Sequence, residues 1–116
     1  MENKDTRTVK DLLEILPVKL ETGSQTLNNV AKGIYCGDLL SWVMAKAKKG
    51  NVWITIQSHI NVVAVASLVE IPAVIIAEDS TVSEEVIKKA DEEGVAILTT
   101  SKTAYEIASL CGQNKI

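Results

Sequence analysis

A chain of 116 residues is long enough for one hydrophobic core of ordinary size. Hydrophobic residues are 47% of it, which excludes a disordered chain, while aromatics are only 3% and Phe is absent. The core must therefore be filled by Val, Ile, Leu and Ala, as in α/β layer structures. A formal net charge of −3 without a basic face argues against nucleic acid as a partner.

No apolar run approaches the ~18 residues of a membrane span. The opening MENKDTRTVK is polar and carries both charge signs, unlike a secretory signal, so a cytoplasmic protein is expected. Cys36 and Cys111 are far apart and fit no CxxC or metal-finger spacing. With one His they make a poor zinc set, and no metal or cofactor is expected.

Thr8-Val9-Lys10-Asp11 has the form of a capping box with Asp in place of Glu, opening a short helix through about Leu16 that Pro17 ends. Residues 18–21 are a short strand candidate. Thr22 to Thr26, extended by Asn28-Asn29, is loop chemistry. Residues 30–36 then read as one strand ending at Gly37-Asp38. From Leu39 the apolar positions Leu39, Leu40, Val43, Met44 and Ala47 form a helical stripe, with Lys46, Lys48 and Lys49 closing the helix before Gly50-Asn51. Trp42 falls off that stripe beside Lys46, which marks it as a candidate partner surface.

The segment NVWITIQSHINVVAVAS, residues 51–67, organises the rest. Residues 52–56 are a buried strand, Gln57-Ser58-His59 a polar elbow, and residues 61–69 a helix despite their valines. A strand candidate follows at residues 73–77, and a parallel pair needs a crossover; Ala64, Ala66 and Ser67 are small enough to pack closely on a sheet. A hairpin is the alternative.

Glu78-Asp79-Ser80 turns the chain. Thr81-Val82-Ser83-Glu84 reads as a capping box for a helix with Val82, Val86, Ile87 and Ala90 buried, and Glu84/Lys88 and Glu85/Lys89 are spaced for ion pairs of ~0.2–0.5 kcal/mol. Gly94 stops it. Residues 95–98 are the last strand, and Thr99-Thr100-Ser101 cap a final helix with Ala104, Ile107, Ala108 and Cys111 on one side. Residues 112–116 are expected to fray. This alternation predicts a single α/β domain over residues 1–116, ordered over about 8–111, with a mostly parallel sheet and flanking helices.

Open α/β sheets bind ligands at the C-terminal ends of their strands. The junctions there are Cys36-Gly37-Asp38, Gln57 to Asn61, Glu78 to Thr81, and Thr99 to Thr103. The ligand-binding candidates are Gln57, Ser58, His59 and Asn61, with Thr99, Thr100 and Ser101, whose hydroxyls and nearby amides suit an anionic or nucleotide-like ligand. The structural alternative is that Ser58 or Asn61 caps a helix, His59 is a turn residue, and Thr99–Ser101 are only a hydroxyl-rich cap. Cys36 is either a thiol activated at a helix start or a small buried residue at a strand end. No catalytic residue is assigned: His59 shows no partner to fix its tautomer, and the phosphate loop ending Gly-Lys-Ser/Thr is absent.

Gly37-Asp38-Leu39-Leu40-Ser41, Val43-Met44, Trp53-Ile54-Thr55-Ile56-Gln57, His59, Asn61 and Ala64-Val65-Ala66 together resemble the DRTGG domain. So do Ala73-Val74-Ile75-Ile76, Gly94, and Ile97-Leu98-Thr99-Thr100, so the resemblance runs from the first helix to about Leu110. The chain departs at the family's signature: where the pattern is Asp-Arg-x-Val-Thr-Gly-Gly it has Asn28-Asn29-Val30-Ala31-Lys32-Gly33-Ile34, and only Gly33 is kept.

The resemblance implies a fold similar to the N-terminal domain of HPr kinase/phosphorylase. It also implies a non-catalytic regulatory or dimerising role, as in pyrophosphatases with CBS domains and some phosphotransacetylases. Stand-alone versions are similar to proteins encoded beside iron-only hydrogenase genes in anaerobic bacteria. The expected function is a homodimeric regulatory module binding a small anionic or nucleotide-like ligand. A scaffold for a redox enzyme of hydrogenase type, with no small ligand, is the alternative, and a small enzyme using His59 a third.

Overall fold

The computed structural model describes residues 6–116. The capping box forms: Thr8 Oγ1 accepts the Asp11 N–H, and the Asp11 carboxylate accepts the Thr8 N–H (2.9 Å). It launches α1 (Val9–Ile15) directly from β1 (Arg7–Thr8). Strand β2 (Lys19–Leu20) and a 3-10 turn (Ser24–Asn28) follow. The single strand expected over residues 30–36 is instead two, β3 (Val30–Ala31) and β4 (Ile34–Cys36). Gly33 breaks it with φ +78°, a left-handed conformation that favours glycine.

The rest alternates: α2 (Leu40–Lys46), β5 (Val52–Thr55), α3 (Asn61–Val69), β6 (Ala73–Ile76), α4 (Glu84–Glu93), β7 (Ala96–Thr99) and α5 (Ala104–Gln113). The main sheet has the order β2-β7-β6-β5-β4, with β4 to β7 parallel and β2 antiparallel at the edge; β1 and β3 pair separately. Residues 61–69 are helical, so the hairpin alternative fails. The reason is topological: β5 and β6 are parallel and need a crossover.

Because β4, β5, β6 and β7 are neighbours in chain order and crossovers are right-handed, α2, α3 and α4 share one face. There Trp53, Val74, Ile76 and Ile97 meet Val43, Val62, Val63, Val86 and Ala90. Residues of opposite strand parity, among them Val52, Ile54, Ile75 and Leu98, meet α1 and α5 through Val9, Leu12, Ile107 and Cys111. The central strands are buried on both sides, hence their nearly continuous apolar sequences.

Helix boundaries differ from the sequence reading in instructive ways. Helix α2 ends at Lys46, with Ala47 already extended, so Lys48 and Lys49 lie beyond it; Lys49 pairs with Glu70 (3.4 Å). Of the expected α2 stripe only Val43 is fully buried, and Leu39 and Met44 are exposed. Ser83, not Thr81, caps α4, and Lys89 pairs with Glu93 (3.2 Å) rather than Glu85. Thr103, not Thr99–Ser101, caps α5, in a capping box with Glu106. Residues 112–116 are tied down rather than loose: the Ile116 N–H donates to the Cys111 carbonyl (3.0 Å), and its side chain packs on the α5 side of the core.

Candidate functional site

All four predicted junctions reach the C-terminal edge of the parallel sheet. At the first, the Asp38 carboxylate accepts the Thr55 hydroxyl (2.7 Å) and the Ile56 N–H (2.9 Å). Gln57 donates its amide to the Asp38 carbonyl (3.1 Å), and its N–H reaches Thr55 Oγ1 (3.1 Å). Asp38 thus staples the β4 exit to the β5 exit. The side chain of Gln57 is spent on that staple.

His59 holds the entry to α3. Its Nδ1 accepts the Asn61 N–H (3.1 Å), while the Val62 and Val63 N–H groups bond to the carbonyls of His59 and Ile60. With Nδ1 accepting from a backbone donor, the proton of the neutral ring sits on Nε2. Imidazole, not Ser58 or Asn61, does the capping. The first amides of α3 are therefore already satisfied and offer little to an anion.

The third junction is left-handed at two consecutive residues, Glu78 (φ 62°) and Asp79 (φ 60°). Both are sewn to the fourth junction: the Glu78 N–H donates to the Lys102 carbonyl (2.8 Å) and the Asp79 N–H to the Thr100 carbonyl (2.9 Å). The hydroxyls beside them are engaged. Thr99 Oγ1 donates to Glu21 (2.6 Å) and Thr100 Oγ1 to the Pro17 carbonyl (2.8 Å), which ties β7 to the chain around β2.

Two clefts open along this edge. One, of about 440 Å³, is lined by Ile56, Gln57, Ser58, His59 and Ile60 from the β5–α3 loop, and by Thr81, Ser83, Glu85 and Val86. The other, of about 570 Å³, is lined by Thr99, Thr100 and Ser101, with Glu21, Lys19 and Asp79 among the facing groups. Thr81 borders both. The sequence candidates are thus divided between adjoining clefts, and Asn61 lines neither. Thr81, Ser83 and Glu85 escaped the sequence reading because they looked like helix-start chemistry. Their position at the end of central strand β6 was the available signal.

The clefts differ in charge. Glu21 and Asp79 face the Thr99 cleft, with Lys19 only 3.9 Å from Glu21, whereas among the described residues Glu85 is the one carboxylate lining the His59 cleft. Among the described residues no group of three or more His, Cys, Asp or Glu could hold a metal ion, and no helix is long and apolar enough to cross a membrane.

Neither reading of Cys36 holds as stated. It is exposed at the strand end rather than buried, yet desolvation of its sulfur and the nearby Asp38 carboxylate raise its thiol above the ordinary value rather than activating it. Burial, aided by Cys36, pushes the Cys111 thiol from 9.0 up to about 11.

A raised thiol pKa in the folded state means the unfolded chain releases its proton first, so stability from this source falls as pH rises from 9 towards 11. At the acid end, the backbone and hydroxyl of Thr8 lower Asp11, those of Thr103 lower Glu106, and Ser67 and Lys89 lower Glu93. That contribution is lost below about pH 4. Urea melts at pH 7, 9 and 11 are expected to show the alkaline loss, and Cys111→Ala to flatten it. An unchanged slope in that variant would contradict the assignment.

At the signature position, the Asn29 amide bridges the Pro72 carbonyl (3.0 Å) and the Gly94 carbonyl (2.7 Å). It clamps the entries of β6 and β7, at the end of the sheet opposite the clefts. Gly33, the one signature residue kept, supplies the left-handed break between β3 and β4, and an added Cβ would lie 3.1 Å from the Asn51 amide.

The fold is similar to that in the crystal structure of the CBS and DRTGG domains of the regulatory region of Clostridium perfringens pyrophosphatase, complexed with the activator diadenosine tetraphosphate. The TM-score is 0.75 at 16% identity, over 92% of this chain and 46% of that one. The chain therefore spans less than half of that structure, and the likeness is one of fold. No curated protein sequence matches the chain. The family model for the DRTGG domain matches residues 11–113, nearly the whole chain, and with the α/β fold just described this makes the protein a member of the DRTGG domain family.

Proposed function

We propose that the protein is a non-catalytic regulatory module that senses a small nucleotide-like ligand in the His59 cleft and works as a homodimer. The observation that carries the ligand is the two-sided chemistry of that cleft. Ile56, Ile60 and Val86 give it an apolar wall for a base. His59, Ser58, Thr81 and Ser83 give donors for the oxygens of a phosphate or sugar, with the imidazole fixed in the tautomer that donates from Nε2. Its volume of about 440 Å³ suits a small-molecule site. The adjoining Thr99 cleft, with its two carboxylates, is the less suitable place for a phosphate. Thr99 and Thr100 act there by tying β7 to the chain around β2, through Glu21 and the Pro17 carbonyl.

The similar regulatory region, crystallised with diadenosine tetraphosphate, supports nucleotides as the class to try first. The dimer reading rests on Trp42, 56% exposed on α2 with Lys46 Nζ 5.3 Å from its ring centre.

A thermal-shift screen against adenine mononucleotides, diadenosine tetraphosphate and inorganic phosphate tests the ligand. Ligand at ~100 times its dissociation constant adds about 2.7 kcal/mol of apparent stability. The shift should shrink at least tenfold in dose–response for His59→Ala, and remain for Ser101→Ala in the other cleft. A shift indifferent to His59 would remove the ligand from this cleft. No response to any compound, with recovery of a redox-enzyme partner, would favour the scaffold reading.

A further inference from the structure

Among the described residues, strand β4 forms the outer edge of the main sheet. It pairs with β5 on one side and ends the sheet. The Gly33 carbonyl accepts from the Val52 N–H (2.9 Å) and the Gly37 N–H donates to the Ile54 carbonyl (3.1 Å), so the odd-numbered residues turn their backbone groups towards β5. Alternate residues of a strand address opposite edges. Ile34 and Cys36 therefore each present an N–H and a C=O outward.

Natural edges are commonly blunted by charge, proline, a bulge or the shortness of the strand, and of these β4 has only its shortness and the Gly33 break before it. The β4 sequence Ile34-Tyr35-Cys36 has no charge and no proline. On the helix that follows it, Trp42 (56%), Met44 (45%) and the N-cap Leu39 (65%) are also exposed.

We infer that this edge is where two copies of the chain join, by antiparallel pairing of β4 with β4 about a two-fold axis at Tyr35. In that register Ile34 of one copy and Cys36 of the other form a hydrogen-bonded pair, exchanging both N–H···O bonds, and the same pair repeats across the axis. The outward groups of Ile34 and Cys36 are self-complementary in this arrangement and no other element is needed to satisfy them. The two sheets become one, and an isologous interface of this kind closes on itself rather than propagating. The pairing is short, so the exposed Leu39, Trp42 and Met44 supply apolar area that three residues of strand lack.

The competing occupant is the chain's own start, the residues ahead of Arg7. That segment, Glu2-Asn3-Lys4-Asp5, is polar and matches neither the apolar strand nor Trp42. A second copy fits both.

The inference rests on the homodimer reading and specifies its interface, and a disulfide trap separates the two. Hydrogen-bonded antiparallel partners have Cα atoms about 5.5 Å apart, within disulfide range. Ile34→Cys should place its thiol opposite the native Cys36 of the other copy. Under mild oxidation it should give a covalent dimer on a non-reducing gel. The unaltered chain and the double variant Ile34→Cys with Cys36→Ser should not. Because the Cys36 N–H faces outward, Cys36→Pro should leave the domain folded, with the far-UV circular dichroism of the parent chain, while moving its mass in sedimentation from dimer to monomer.

A dimeric mass with no trapped species, a Cys36→Pro chain that stays dimeric, or cross-linking that survives Cys36→Ser would overturn the edge pairing and leave the dimer intact. A monomeric mass for the unaltered chain at tens of micromolar would overturn both.

Discussion

Trp53→Ala is expected to destabilise the domain by about 3–5 kcal/mol, the usual cost of truncating a large buried aromatic. Trp53 is fully buried in β5, where it meets the α2–α3–α4 side of the core. Its indole Nε1–H donates to the Gly37 carbonyl (2.8 Å), so one side chain both fills the core and holds the loop leaving β4. Set against a domain stability of typically 5–15 kcal/mol, this loss is enough to leave a marginal domain largely unfolded at 37 °C.

Trp53→Phe keeps most of the volume but strands that carbonyl, and should cost about 1–3 kcal/mol. Urea unfolding followed by fluorescence measures both. In a Trp42→Phe background Trp53 is the sole reporter, and its emission should be blue-shifted in the folded state. Should Trp53→Ala melt within 1 kcal/mol of the parent chain, the packing of the α2–α3–α4 side would be wrongly described.

Asp38→Ala is expected to cost about 1–3 kcal/mol and, together with that, to abolish the ligand response proposed for the His59 cleft. The substitution removes the acceptor for the buried Thr55 hydroxyl and for the Ile56 N–H, and hydrogen bonds to an ionised acceptor are among the stronger ones. Ile56 and Gln57 line the cleft, so loosening this staple moves the cleft wall itself. Asp38→Asn retains an acceptor oxygen and should recover most of the stability.

The pair of variants separates positioning from charge. If Asp38→Asn restores both the melt and the ligand shift, Asp38 acts by hydrogen bonding. Unchanged stability in Asp38→Ala would show that the β4 and β5 exits are held by something else.

The DRTGG resemblance was legible because its residues are those the fold cannot exchange freely. Trp53 through Gln57, Ala73 through Ile76, and Ile97 through Thr100 lie in or directly after the buried parallel strands, where spacing is set by the pleat. The capping box at Thr8-Asp11 was legible for a similar reason, being complete within four residues. The caps of α4 and α5 were misplaced because Thr81, Ser83, Thr99, Thr100, Ser101 and Thr103 are chemically alike. Which hydroxyl reaches an N3 amide depends on where the strand before it ends.

The sequence by itself determined the layers and which junctions lie at the C-terminal end of the parallel sheet. Periodicity, apolar strands and glycine stops are local, and the need for a crossover between parallel strands made residues 61–69 a helix against the preference of their valines. Only the tertiary structure decided which polar groups remain available. Gln57 is occupied by Asp38, Thr99 by Glu21 and Thr100 by Pro17, all partners distant in sequence. It also separated one imagined site into two clefts of different charge and put β4 last in the order of the main sheet, because strand order is fixed by long-range pairing that no local pattern encodes.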